Sequence, residues 1–348
     1  MPLLTAAGRT HLRWSERNGQ VSRRETSAVH AGTNRLHLGL VNNMPDSALE
    51  DTEMQFFELL DAASSDLPVF IELFSLPEIA RSERAQIHIA SNYSPLTELL
   101  DSELDGVIIT GTEPRQRNLR DEPYWRSLTG VFDWAETHTS SAILSCLAAH
   151  ASVLHSDNID RTPLPDKQFG VFTYEKSLDH RLNSEVAATT RFPHSRWNEI
   201  RENSLLESGY QVIDKSFDAG VNLFVKQKQQ SLFVYFQGHP EYFSRTLLKE
   251  YRRDIRRFLN HERETYPTMP FSYFDEEAVR LLTDFRQTAE HSRREQLIDL
   301  FPENALSDTL QNTWHSSAVA VYRNWLKLLA SKRSLVSPFS TTSQPVNQ

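Results

Sequence analysis

Cysteine is nearly absent from this sequence. The 348-residue chain carries one, Cys146, so no intrachain disulfide can form. Lysine is missing before Lys167, and glycine is scarce. There is no CxxC, no HExxH and no glycine-rich phosphate loop, which removes the usual signatures of zinc sites and nucleotide cradles and leaves no metal to expect. No apolar run is long enough to cross a bilayer or serve as a secretory h-region, so the expectation is a cytoplasmic protein with no membrane partner. Positive charge is also short. With 37 Lys and Arg against 46 Asp and Glu, the formal charge is −9, which argues against work on a nucleic-acid backbone and means that an anionic small substrate needs a local basic pocket. No internal repeat is present.

What is there reads as an α/β chain. Short apolar runs at Arg35–Asn42, Pro68–Ser75, Asp105–Gly111 and Ala142–Leu144 alternate with helical patterns at Met54–Leu60, Leu96–Leu104 and Trp125–His138. Asp51 or Thr52 is the expected cap of the first helix. This order predicts a doubly wound, mostly parallel sheet flanked by helices. Further strands are expected at Phe169–Thr173, Gly209–Asp214, Val221–Lys226 and the run ending at His239, then a helix capped by Ser244. Four segments result: a polar N-terminal arm over 1–34, a core domain over 35–275, C-terminal helices over 276–330 that pack on the core or on another subunit, and a mobile Ser/Thr/Pro-rich tail over 331–348.

The chemistry points to strand ends. Cys146 lies where an apolar strand runs into a helix whose N–H groups and dipole would favour a thiolate. Far downstream, Gly238-His239-Pro-Glu241 ends another strand with a histidine and a carboxylate two residues on. Nucleophile, base and orienting acid are the three parts that covalent catalysis needs. Leu147, first in the helix, offers its N–H to an oxyanion. From the residues alone, a buried filler cysteine and a turn histidine remain open readings. Other candidates are the loop from Gly111 to Tyr124, where Arg115 is one of several arginines fit to clamp an anion, and the stretch Arg191–Glu199, a binding loop by its look, with His194 and Arg196. On the helix after Ser244, the face carrying Arg253 is either solvated or turned inward.

Several ordered motifs resemble one family. They include Asn42-x-Met44-Pro45, Glu53-x-Gln55-Phe56, Asp105-Gly-x-Ile-x-Thr-Gly111, Trp134-x-x-Thr-His138, Cys146, Gly170-Val171-Phe172, His194-Ser-Arg196, Gly238-His239-Pro-Glu241-Tyr242, Arg253-Asp254 and Asn324-Trp325-Leu326. Together they resemble the MetA-type homoserine O-acyltransferases, which share the class I glutamine-amidotransferase-like fold. The resemblance implies transfer of an acyl group from acyl-CoA to the hydroxyl of L-homoserine, a step of methionine biosynthesis, through an acyl-cysteine on Cys146 with His239 as base and Glu241 behind it. It implies that Arg196 and Arg253, with His194, hold the amino acid, and that no cofactor is needed beyond the acyl-CoA co-substrate. A homodimer is one assembly open to it.

The sequence departs from the family in three places. The lysine that the family carries after Met-Pro has no counterpart in Asp46-Ser47-Ala48, Leu147-Ala148-Ala149-His150 stands where the family has Trp-Gly/Ala-x-Gln, and a helical stretch from about Glu276 to Phe301 is extra. Alignment puts Arg115 at the family's acyl-selecting position, where a cation suits the free carboxylate of succinyl-CoA. Acetyl-CoA as donor, serine as acceptor, or a non-catalytic relative are the competing expectations.

Overall fold

The computed structural model describes residues 4–5, 11–13, 22–24, 35–65 and 67–336. The arm over 1–34 is thus described only in three short pieces, and most of what was expected of it lies outside the described residues.

The central sheet is built from β1 (Leu36–Val41), β2 (Val69–Phe74), β3 (Leu104–Thr110), β4 (Thr139–Ser145), β7 (Leu223–Lys228) and β8 (Ser231–Phe236). Between β4 and β7 the chain forms β5 (Thr162–Lys176) and β6 (Thr189–Glu199) of a second sheet. Across the central sheet the order is β2-β1-β3-β4-β8-β7, with short edge strands at Leu4–Thr5 and Gln211–Val212. All pairs from the Leu4–Thr5 edge to β8 are parallel; β7 alone is reversed, pairing antiparallel with β8 on one side and with Gln211–Val212 on the other. The expected doubly wound, mostly parallel sheet is therefore present.

Its core follows from side-chain alternation. Val107, Ile109, Ala142, Leu144, Phe233 and Tyr235 point to one side, where α3 (Trp125–His138) and α4 (Leu147–Asp157) pack. Ile108, Ile143, Val234 and Phe236 point to the other, against α1 (Leu49–Ser64), α5 (Thr246–Leu259) and α7 (His315–Val336). Strands buried on both faces read as continuous apolar runs, which is why they were legible. Trp325, fully buried on α7, donates from Nε1 to Ser141 Oγ at 2.9 Å and pins that helix to β4.

Several local expectations need correction. The helix α1 begins at Leu49 with Ala48 before it and no side-chain cap, so Asp51 lies inside the first turn, where with Glu50 it meets the positive helix end. Ser244 does not cap α5, which starts at Thr246 after Arg245. The helix expected over Leu96–Leu104 stops at Leu100, and α2 (Glu83–Asn92) was not foreseen. A helix, α6, spans Glu276–His291. The first residues of the expected tail, up to Val336, continue α7; the remainder lies outside the described residues.

The largest difference is a second sheet. β5 and β6 pair antiparallel, extended by Asp214–Ser216 and Gly220–Val221. The stretch expected as a binding loop is thus strand β6, with Phe192, His194 and Arg196 sharing its buried side at period two.

Candidate active site

β4 and β8 are parallel neighbours, with Ser145 opposite Phe236. The turns that leave these two strands therefore emerge at the same end of the sheet.

After β4 the chain turns sharply through Cys146 into α4, at φ 51° and ψ −111°. Such a conformation costs a non-glycine residue about 1–3 kcal/mol and persists because the surroundings hold it. Cys146 N–H donates to Phe236 O at 2.8 Å, and its carbonyl accepts from Ala149 N–H at 3.0 Å. The turn presents the thiol, half-buried, at the helix N-terminus. Gly111, ending the β3 turn, presses on this helix start: a Cβ there would lie 2.4 Å from Leu147 Cβ.

After β8, Gly238 admits the close packing of His194, whose Nε2 would lie 2.7 Å from an added Cβ. His239 comes next, with N–H donating to Pro193 O at 2.9 Å. Its Nδ1 lies 2.8 Å from Glu241 Oε1, which leaves Nε2 for the Cys146 sulfur, close enough to act on the ring electrostatically. Burial disfavours the imidazolium, but the Cys146 sulfur and the Glu241 carboxylate outweigh it and hold the His239 pKa above its ordinary range. The ring stacks on Tyr242, centroids 4.2 Å apart. Tyr242 is fixed in turn by Trp314 Nε1, 2.8 Å from its carbonyl, and by its hydroxyl donating to Glu250 at 2.7 Å.

A cavity of about 930 Å³ opens over these groups. Of the residues expected from sequence, Cys146, His239, Glu241, Leu147, Arg196 and Arg253 all line it. Arg115 and His194 do not, and both expectations are corrected. Arg115 is exposed, its backbone N–H held by Glu122, while Glu113 lines the cavity and pairs with Arg257 at 3.8 Å. His194 is wholly buried between Tyr174 OH at 2.6 Å and Arg196 Nε at 3.2 Å, so it supports Arg196 and the Gly238 turn from behind. Arg196 is itself tied by donation to the carbonyls of Asn198 and Ala219, at 2.8 and 2.7 Å.

Other lining residues were missed. Lys167, buried and 3.0 Å from Asp254 Oδ2, sits above the Phe169 ring. With Arg253 it holds the Asp254 carboxyl below its ordinary range against the effect of burial. Glu250, 3.7 Å from Lys167, accepts from Ser195 Oγ. Arg161 donates to Arg117 O at 3.1 Å and ties the start of β5 to the loop after Gly111. The sequence signal for Lys167 was its place as first lysine of the chain; Glu250 and Asp254 follow from the helical face shared with Arg253.

His150, one turn along α4 from Cys146, also lines the cavity. It is 4% exposed and neither ring nitrogen has a hydrogen-bond partner. Gln237 is near enough to raise its pKa slightly, but the contact falls outside hydrogen-bond geometry, and the Gln237 amide is engaged by Ile200 and Val221. Burial, reinforced by Arg196 and Arg161, lowers the imidazole to about 3. Among the described residues no group of three or more His, Cys, Asp or Glu side chains is placed to hold a metal ion, and no helix is long and apolar enough to cross a membrane.

Comparison with known proteins adds to this geometry. Residues 10–335 match the family model for homoserine O-succinyltransferase. A homoserine O-succinyltransferase of Rhodopseudomonas palustris is 44% identical, over 85% of this chain and 89% of its own. One from Methylorubrum extorquens is 41% identical, over 87% and 90%. Among solved structures, a glutamine amidotransferase from Thermotoga maritima shares 12% identity at a TM-score of 0.47, over 85% of this chain and 98% of that one.

Proposed function

The chain belongs to the homoserine O-succinyltransferase family, and from that premise we propose that it moves a succinyl group from succinyl-CoA to the hydroxyl of L-homoserine through an acyl-cysteine. The reaction serves methionine biosynthesis. The observation that carries the mechanism is the gathering of Cys146, His239 and Glu241 around one cavity at one end of the sheet, with His239 hydrogen-bonded to Glu241 and electrostatically coupled to the Cys146 sulfur.

In the first half-reaction the Cys146 sulfur attacks the thioester carbonyl. The negative charge that builds on the carbonyl oxygen meets the N–H of Leu147 at the N-terminus of α4. The C–S bond to CoA breaks, and the His239 imidazolium gives its proton to the departing sulfur. In the second, neutral His239 takes the homoserine hydroxyl proton as that oxygen attacks the acyl-cysteine, and the ester leaves with Cys146 restored. Glu241 holds the ring in the tautomer that presents Nε2 to both proton transfers.

Homoserine is a zwitterion, and α5 offers charges of both signs to the cavity. Arg253 suits the carboxylate and the Glu250–Asp254 pair the ammonium. Arg196 adds a buried cation near the reacting sulfur.

A matrix of acyl-CoA donors against acceptor alcohols, read as CoA thiol release, tests this reading. The expected result is release with succinyl-CoA and homoserine above every other pair. A preference for acetyl-CoA, or for serine, would contradict the assignment.

A further inference from the structure

With Arg115 outside the cavity, the distal carboxylate of a succinyl group must be met elsewhere. The helix α4 suggests where. Residues four apart share a helix face, and each Cα–Cβ bond tilts toward the N-terminus, so His150 leans back over the turn that begins at Cys146. The carboxylate of a succinyl thioester lies roughly 5–6 Å from its sulfur, about one helical turn.

We infer that His150, flanked by Arg161 and Arg196, forms the subsite for the free carboxylate of the acyl group and so determines donor choice. His150 is buried, lines the cavity and has two ring nitrogens with no partner. An unpaired buried polar group is destabilising, and a ligand that pairs it recovers that cost. A neutral imidazole brings one N–H donor, which an ionised carboxylate accepts. Its depressed pKa keeps it in that form. Arg161 and Arg196 both act on the ring electrostatically, so two cations stand at the same end of the cavity. Arg253, the cation assigned to the acceptor, sits on a different element, α5.

This subsite rests on the succinyl-transfer reading, and the test separates the two. kcat/KM is measured at saturating homoserine for succinyl-CoA and for butyryl-CoA, which matches its chain length without the carboxylate. His150→Leu and Arg161→Met are each expected to lower the succinyl-to-butyryl ratio about 10- to 100-fold. His150→Gln, which keeps an N–H donor, is expected to retain most of the ratio, and Arg161→Met carries the test if the leucine variant misfolds. An unchanged ratio in Arg161→Met and in folded His150→Leu, or a rise in homoserine KM with equal loss for both donors, overturns the subsite. A wild-type protein that refuses succinyl-CoA overturns the functional reading itself.

Discussion

Two histidines face one cavity, 6% and 4% exposed, and their surroundings push them in opposite directions. At His239, burial is outweighed by the Cys146 sulfur and Glu241, and the imidazolium is favoured. At His150, burial is joined by Arg196 and Arg161, and the ring stays neutral to about pH 3. Burial is common to both, so neighbours decide the chemistry. On the proposed mechanism one site moves protons and the other offers a fixed donor.

The sharpest way to break this contrast is substitution at His239. His239→Asn should lower kcat about 100- to 10,000-fold with every acyl donor, measured by CoA release. A donor-selective loss would make the two histidines equivalent in role.

Glu241→Gln should cost about 100-fold in kcat, since the ring loses the negative, acceptor-only partner that fixes its tautomer and stabilises the imidazolium. It should also change stability in a signed way. His239, with folded pKa raised above the unfolded 6.5, contributes stability that is full below about pH 6.5 and fades as pH rises through the folded value. The gap between wild type and variant in urea unfolding should be widest at acid pH and narrow as pH rises. A gap independent of pH would contradict the pairing.

His150 has the opposite sign. Its folded pKa of about 3 lies below the unfolded 6.5, so stability is full above that value and declines as pH falls toward 3. The slope is at most about 1.4 kcal/mol per pH unit. His150→Gln should flatten this acid limb in unfolding curves taken between pH 4 and 7. The smallest effect is expected at the cavity rim: removing the Glu113–Arg257 pair with Glu113→Ala, the exposed partner, should move stability by under about 0.5 kcal/mol.

How much of this was legible depended on local signals. The strands β1, β3, β4 and β8 announce themselves as apolar runs, and Cys146 and His239 stand out just past the ends of two of them. The expected strand at Phe169–Thr173 is present within β5, but the second sheet as a whole was not legible, because the start of β5 carries Pro163, Pro165, Asp166 and Lys167, and β6 alternates buried His194 and Arg196 with exposed Trp197. Polar residues on a buried strand face look like a loop until the pairing is seen. Arg115 was chosen from alignment, yet which loop side chain turns inward depends on Glu122 holding the backbone N–H groups of Arg115 and Gln116. His150 gave no signal of its own beyond standing where the family has glutamine.

The central claim is that Cys146 carries the acyl group. Intact-protein mass spectrometry after mixing with succinyl-CoA alone tests it. The account predicts one succinyl adduct, absent in Cys146→Ala and discharged by homoserine. Turnover without any adduct on Cys146, or an adduct that survives homoserine, would contradict it.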